Sequence, residues 1–120
     1  MDVTRPGLRA TPGQAIEELT RGLGLSEKWL SDALGATPRT LERWRSGETH
    51  PQREARERLV FLLRLDDHLK DTFGDRESRL AWLEEPSRYL GGIRPKEAIR
   101  VGRADRVEAA LEALDSGVFV

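Results

Sequence analysis

The clearest pattern of apolar and polar positions lies between residues 25 and 51, and it predicts two short helices joined by a tight turn. Leu30, Ala33 and Leu34 follow the i, i+3, i+4 spacing of one buried helical face. Ser26 stands where a side chain would cap the start of this helix, and Gly35 stands where a left-handed residue would end it. The pattern therefore places a turn directly after Gly35.

The second helix of the pair carries its own start and stop signals. Thr37 is the expected N-cap, Pro38 occupies the first helical position, and Gly47 closes the helix. At about 100° per residue, Leu41 and Trp44 share one face. The opposite, outward face carries Arg39, Glu42, Arg43 and Ser46. Two helices, a glycine turn and an arginine-bearing outer face predict a helix-turn-helix, in which the second helix lies in a DNA major groove.

The rest of the chain also has helical spacing, so we predict an all-α protein. No segment has the period-two alternation of a strand. Helices are expected near residues 12–22, 52–73, 76–85, 95–99 and 103–115. This order predicts a flexible arm over residues 1–12, a helix-turn-helix bundle with a long connecting helix over 13–73, and a second helical domain over 74–120.

The predicted connecting helix has an apolar middle and a charged start. Residues 59–65 are apolar nearly all round, and a helix of that kind has to be covered on more than one side. One cover is expected to be the N-terminal bundle, and the other is either the C-terminal half or a second copy of the chain. Solvated ion pairs, rather than a DNA site, are expected among Arg53, Glu54, Arg56, Glu57 and Arg58.

Length and composition limit the number of domains and the class of protein. A chain of 120 residues suits one domain or two very small ones, and it can bury a core without disulfides or metals. The absence of cysteine excludes disulfides and thiolate metal sites, and it suits a reducing cytoplasm. No apolar run reaches the roughly 18 residues that span a bilayer, so we expect a cytoplasmic protein with no membrane partner.

Residue types that perform catalysis are present, but not in productive patterns. Neither His50 nor His68 has a second histidine at i+3 or i+4, so no metal site and no cofactor are expected. The acidic pairs Asp66–Asp67 and Glu84–Glu85 are adjacent, and adjacent helical side chains point in different directions. There is no Gly-x-Ser-x-Gly motif. We therefore predict that the protein is not an enzyme.

The net charge of −1 means that any DNA contact has to come from a local patch. Such a patch lies on the second helix of the predicted helix-turn-helix, where three arginines stand against Glu42. We predict that bases are read by Arg39, Thr40 and Arg43. Phosphates are expected to be contacted by Lys28, Thr37 and Arg45. In the alternative reading, Arg39 and Glu42 only pair on a solvated face.

The composition also bears on which bases would be read. Arginine reads guanine O6 and N7, whereas adenine is usually read by Asn or Gln. The chain has no Asn, and Gln14 and Gln52 lie outside the helix, so we predict guanine-centred half-sites. Operator DNA of two-fold symmetry would favour a homodimer. In the predicted arm, Arg5 and Arg9 either enter a minor groove or belong to a frayed end.

Two stretches resemble a known family. In the first half, Leu25-Ser26 and the run Arg43-Trp44-Arg45-Ser46-Gly47, followed by Pro51, resemble the phage-repressor or Xre type of helix-turn-helix. The second half resembles the toxin-binding domain of Xre/MbcA/ParS-type antitoxins. The residues that carry this resemblance are Ala81-Trp82-Leu83, Pro86-Ser87-Arg88-Tyr89-Leu90-Gly91-Gly92, Arg94-Pro95-Lys96-Glu97-Ala98-Ile99, and Val107, Leu111, Leu114 and Gly117.

The resemblance, which spans residues 13–120, implies a type II antitoxin that is catalytically inert. Its partner would be a cognate RES-domain toxin, an enzyme that consumes NAD. In this family the C-terminal half holds the toxin and the end of the chain obstructs the toxin's pocket, while the N-terminal bundle binds operator DNA and represses the shared operon. The residues expected to bind the toxin are then Asp115, Gly117, Val118, Phe119 and Val120. The carboxylates of Asp115 and Val120 would meet positive charge that the toxin keeps for NAD phosphates.

Several alternatives stay open at this point. From the residues alone, the apolar tail either folds back onto its own helix or is exposed as an interaction site. A stand-alone repressor would use the same helix-turn-helix and would need its C-terminal half only to dimerise. A purely structural helical adaptor would not bind DNA. A neighbouring gene for a RES-like toxin would favour the antitoxin over both.

Overall fold

The computed structural model describes residues 11–117, and within that range the chain forms seven α-helices and no strand. The all-α fold class predicted from the sequence is confirmed. The helices are α1 (Pro12–Leu23), α2 (Glu27–Leu34), α3 (Pro38–Ser46), α4 (Arg53–Thr72), α5 (Arg76–Glu84), α6 (Pro95–Arg100) and α7 (Ala104–Asp115). None of the helices in the described range is both long enough and apolar enough to cross a membrane.

The first two helices begin where the sequence predicts, because side chains satisfy backbone N–H groups that a helix start leaves free. The Thr11 hydroxyl accepts a hydrogen bond from the Gln14 N–H at 3.1 Å, and the Gln14 side chain accepts one from the Thr11 N–H at 3.0 Å. At the start of α2, the Ser26 hydroxyl accepts from the Trp29 N–H at 3.1 Å. The cap predicted at Ser26 is therefore confirmed, and Thr11 caps α1 in the same way.

Helix α4 is the centre of the described structure. It packs against α1, α2, α5 and α7. Its buried residues are Leu59, Leu62, Leu65, Asp66 and Leu69. They meet fully buried side chains of both halves, among them Ile16 and Leu19 of α1 and Val107 and Leu111 of α7. Residues of the N-terminal and C-terminal halves therefore share one hydrophobic core.

The apolar middle of α4 is covered by both halves of the chain. Helices α1 and α2 pack on it from the N-terminal side of the sequence, and of the two alternatives for its other cover the C-terminal half is the one observed, through α5 and α7. One face of α4 stays outward within residues 11–117, because Phe61 is 36% exposed and Val60 is only half-buried.

The connection from α5 to α6 folds back on itself and carries apolar residues. The Gly92 N–H donates to the Ser87 carbonyl at 2.7 Å, and the Ser87 N–H donates to the Ile93 carbonyl at 2.9 Å. Leu90 is buried between them, at 8% exposure. These hydrogen bonds give the turn over residues 87–93 a defined shape.

Candidate functional site

Helices α2 and α3 lie in contact and are joined by a short turn. Gly35 ends α2 with a φ of 72°, in the left-handed region that glycine adopts without strain. Thr37 then caps α3, since its hydroxyl accepts from the Thr40 N–H at 3.1 Å. Leu41 and Trp44 turn inward and are 1% and 7% exposed. The outward face of α3 is therefore free to meet a partner.

Two of the predicted base-reading residues lie on that outward face. Arg39 and Arg43 are both exposed. Arg43 Nη2 lies 3.2 Å from Glu48 Oε2, but both side chains are well exposed, so this ion pair is weak and leaves Arg43 available. Arg39 forms no ion pair within residues 11–117. Glu42, which could have paired with Arg39, lies 3.4 Å from Arg45 Nε instead.

Arg45 differs from the other two arginines because it turns toward the neighbouring helices. Its side chain is 21% exposed, and its guanidinium pairs with Glu17 of α1, Glu27 of α2 and Glu42 of α3. The guanidinium thus ties α1, α2 and α3 together. The phosphate contact that the sequence suggests for Arg45 stays a prediction, and this geometry favours a bracing role.

The remaining predicted DNA contacts lie close to these residues in the chain. Lys28 is on α2, where its Nζ lies 2.8 Å from Asp32 Oδ1 while the side chain stays 67% exposed. The Thr37 hydroxyl donates to Thr40 Oγ1 at 3.1 Å, so both hydroxyls stand at the start of α3. Thr40 itself is half-buried. Both hydroxyls and Arg39 therefore belong to one end of α3.

A cluster of cations and an indole joins α2 to α6. Arg100 Cζ lies 4.7 Å from the centroid of the Trp29 ring, and Lys96 Nζ lies 5.3 Å from it, which are cation–π distances. Arg100 Nη1 also lies 3.7 Å from Asp32 Oδ2. The sequence contains no local signal for this joint, because its partners are far apart in the chain. It links the predicted helix-turn-helix directly to the C-terminal half.

His68 joins α4 to α7. Its Nδ1 lies 2.7 Å from Glu108 Oε2, and its Nε2 lies 2.5 Å from Asp115 Oδ2. Partial burial alone would lower the pKa of His68, but the hydrogen bonds to Asp115 and Glu108 outweigh burial and raise the pKa. Burial raises the pKa of Glu108, and the contact with His68 opposes that shift. The imidazole therefore holds two carboxylates of α7 at once.

Asp115, a predicted toxin contact, is already engaged at the end of α7. Its Oδ1 accepts from Thr72 Oγ1 at 2.9 Å, and the hydrogen bonds from His68 and Thr72 lower its pKa. Gly117 follows with a φ of 80°, and its N–H donates to the Leu114 carbonyl at 3.1 Å. The other predicted toxin contacts, Val118, Phe119 and Val120, lie outside the described residues.

Three apolar side chains are exposed just before and just after α6 in the chain. They were not assigned to a site from the sequence. Tyr89 and Ile93, in the loop before α6, are 40% and 42% exposed, and Val101, directly after α6, is 59% exposed. Exposed apolar groups of this size indicate a partner surface when they cluster. Of these three residues, only Tyr89 belongs to the stretches that carry the family resemblance, because exposure depends on the tertiary fold and sequence spacing does not reveal it.

Comparison with known proteins connects the C-terminal helices to a family. A family profile described as the C-terminal toxin-binding domain of Xre/MbcA/ParS antitoxins matches residues 68–117. The chain is 34% identical over 113 residues to the mycobacterial cidal antitoxin MbcA of Mycobacterium tuberculosis H37Rv, a match that covers 94% of this chain and 96% of the relative. MbcA of Mycobacterium bovis matches with the same identity and coverage.

The fold comparison agrees with the sequence comparison. The crystal structure of the M. tuberculosis MbcT-MbcA toxin-antitoxin complex contains a chain that matches with a TM-score of 0.68 and 31% identity. The match covers 92% of this chain and 99% of that chain. All-helical architecture and a C-terminal toxin-binding profile define the class as an antitoxin of a toxin–antitoxin pair.

The chain belongs to the Xre/MbcA/ParS family of antitoxins. Within that family it is similar to MbcA along nearly its whole length. The resemblance read from the second half of the sequence is therefore confirmed. Both of these relatives are antitoxins.

Proposed function

We propose that the protein neutralises a cognate toxin and binds it through residues 68–117. The observation that carries this proposal is the match of those residues to a toxin-binding domain. The apolar side chains of Tyr89, Ile93 and Val101 support it, because they supply an uncovered surface in the same region. Following the family resemblance, the toxin is a RES-domain enzyme that consumes NAD. The antitoxin is catalytically inert and acts in the cytoplasm.

We further propose that residues 118–120 obstruct the toxin's pocket. The support is the fixed position of Asp115, which lies shortly before these residues in the chain. Asp115 is held to α4 by His68 and Thr72, so the end of α7 has a fixed position from which a short tail can be aimed. Since the Asp115 carboxylate is engaged, the negative charge offered to the toxin's NAD-phosphate site is that of the Val120 carboxylate.

Removing residues 118–120 tests this role. The truncated protein should still bind operator DNA and should lose most of its ability to inhibit the toxin, because the blocking side chains are gone. Toxin activity is measured as NAD loss in a mixture of the two purified proteins. A matched control replaces residues 118–120 by three serines, which keeps the length and the terminal carboxylate. Full inhibition by the truncated form would refute the tail mechanism.

We also propose that α3 reads operator DNA and represses the antitoxin's own operon. Arg39, Thr40 and Arg43 would contact bases, and Lys28 and Thr37 would contact phosphates. The support is the exposure of Arg39 and Arg43 on the face opposite Leu41 and Trp44. We assign Arg45 to bracing the three helices. Because an operator of two-fold symmetry presents two half-sites, the DNA-bound form is proposed to be a dimer.

Replacing Arg43 by alanine tests base readout. Loss of one bidentate contact to guanine should cost roughly 1–3 kcal/mol at one base position and relax the preference there. Binding is measured against the operator and all its single-base variants. The control is Arg106→Ala, which removes an exposed arginine from α7. If the relative affinities of Arg43→Ala for all the base variants equal those of the wild type, Arg43 does not read bases.

A further inference from the structure

One face of α4 is open in the described chain. The buried residues of this helix lie on one side, and Arg64 lies on the opposite side of the helix axis. On the open side Glu57 and Arg64 are exposed, Val60 is half-buried, and Phe61 is 36% exposed. Spacings of three and four residues align these four side chains along the helix. We call Glu57, Val60, Phe61 and Arg64 the α4 stripe.

The α4 stripe combines an apolar depression with charge that is not satisfied internally. The four residues and Arg56 line a depression of about 280 Å³. Neither Arg56 nor Arg64 forms an ion pair with any residue from 11 to 117. Glu57 lies 3.3 Å from Arg53 Nε, but the two side chains are 67% and 89% exposed, so this pair is easily exchanged for another. The apolar centre formed by Val60 and Phe61 thus has Glu57 toward the N-terminal end of α4 and Arg64, which is unpaired within residues 11–117, toward the C-terminal end.

Such a stripe is complementary to itself when two copies of α4 pack antiparallel. A two-fold axis through the midpoint between Val60 and Phe61 exchanges these two positions. It also places Glu57 of each copy opposite Arg64 of the other, so that two ion pairs flank the apolar centre. Parallel packing would set Arg64 against Arg64 and Glu57 against Glu57. The charges therefore select the antiparallel arrangement.

Charges beyond the stripe are mixed on the same axis. Arg53 comes opposite position 68 of the second copy, next to Asp67 and about one helical turn from Asp71 of that copy. Glu54 comes opposite Asp67, and both are exposed. The pairs of Glu57 with Arg64 are therefore the charges that distinguish the antiparallel arrangement.

We propose that the α4 stripe is the homodimer interface, with α4 of a second copy packed antiparallel on it and Phe61 of each copy seated in the depression of the other. This arrangement covers the one partly apolar face of α4 that neither half of the same copy covers. The inference deepens the proposed function, in which a two-fold operator requires two copies. The proposed function supplies the reason why the protein would dimerise, whereas the contact itself is argued from the residues of α4.

Charge exchange in the full-length protein, without DNA or toxin, tests the pairing. E57R sets an arginine against Arg64, and R64E sets a glutamate against Glu57. Each single variant should weaken dimerisation by about tenfold or more in sedimentation equilibrium. The double variant E57R/R64E restores opposite charges and should return the dissociation constant to within about threefold of the wild-type value. The control R106E reverses an exposed charge on α7 and should leave dimerisation unchanged.

A second variant, Phe61→Ser, tests the apolar centre, and thermal unfolding of each variant checks that it is folded. A wild-type chain that stays monomeric at the highest concentration measured would overturn the proposal, as would a double variant no better than the single ones. Rescue by the double variant cannot arise from misfolding.

Operator binding and toxin inhibition of the same proteins separate this inference from the proposed function. A monomeric variant that still inhibits the toxin leaves the antitoxin role standing. A charge-exchange series that behaves as predicted supports the interface even where neither operator nor toxin is bound.

Discussion

At the scale of single residues, Asp66 is the least expected feature of the core. Its side chain is 1% exposed, and its neighbours are Lys70, whose Nζ lies 3.1 Å from Oδ2, and Gly22. A Cβ at position 22 would collide with Asp66 Oδ1, so glycine makes room for the carboxylate. Neither oxygen accepts a hydrogen bond of regular geometry within the described residues. Burial therefore raises the pKa of Asp66, against the opposing effect of Lys70.

A raised folded-state pKa sets the direction of the pH effect. The folded state binds the Asp66 proton more tightly than the unfolded state, so this contribution to stability is present below the unfolded value of about 3.9 and is lost as the pH rises. Near neutral pH the ionised carboxylate opposes folding. Lys70 keeps Glu18 as a partner, and the hydrogen bond to Lys70 lowers the pKa of Glu18.

Because the ionised Asp66 carboxylate opposes folding and Lys70 keeps Glu18 as a partner, Asp66→Asn should stabilise the protein near pH 7 by on the order of 1 kcal/mol. The advantage should shrink as the pH falls toward 4, because the wild-type carboxyl group then becomes neutral as well. Chemical denaturation between these pH values measures it. Asp67→Asn, at an exposed neighbouring position, should show no such trend. If Asp66→Asn proves less stable than the wild type at every pH, the prediction is wrong. The ion pair between the Asp66 carboxylate and Lys70 then stabilises the folded protein.

Individual roles on α3 could be predicted only in part. Helical periodicity placed Leu41 and Trp44 inward and Arg39 and Arg43 outward, and the structure agrees. Arg45 follows Leu41 by four residues, which brings it to the edge of the buried face. Its three glutamate partners come from three helices, and no spacing rule within one helix could have identified Glu17 or Glu27.

At the scale of helices, the joint between α4 and α7 depends on the protonation of His68. The protonated imidazole pairs with Glu108 and Asp115, and Glu112 adds further negative charge near Glu108. Because the pKa of His68 is raised in the folded state, its contribution is fully present below the unfolded value of about 6.5. It is lost as the pH rises through the folded-state pKa.

The joint should consequently loosen at alkaline pH. We expect amide hydrogens of α7 to exchange faster, after correction for intrinsic rates, as the pH rises above about 6.5. His68→Gln should remove this pH dependence, since glutamine keeps hydrogen-bonding ability without a titrating charge. His50→Gln is the matched control, because His50 is exposed in the connection between α3 and α4. A wild-type pH response that survives in His68→Gln would assign it to another group.

Helix ends were more predictable than helix surroundings. Caps at Thr11, Ser26 and Thr37 are local, so short-range rules locate them. The apolar middle of α4 predicted that more than one cover is needed, but it could not say which element lies on which side. The His68 joint was missed because its partners lie forty or more residues away.

At the scale of the whole molecule, the N-terminal and C-terminal halves are joined both by a shared hydrophobic core and by a cation–π contact. Residues of both halves share one core, and Trp29 of α2 meets Arg100 of α6. The family match begins at residue 68, inside α4, so this helix contributes to both halves. The family was readable from the sequence, because its motifs are local, whereas these contacts between the two halves were not.

We propose above all that this chain neutralises a toxin encoded with it. Expressing the neighbouring gene alone and together with this chain, and measuring cellular NAD in both cultures, tests the claim most directly. We predict that NAD falls when the neighbour is expressed alone and stays at the uninduced level when both proteins are made. An equal fall of NAD in the two cultures, with both proteins present and folded, would contradict the account.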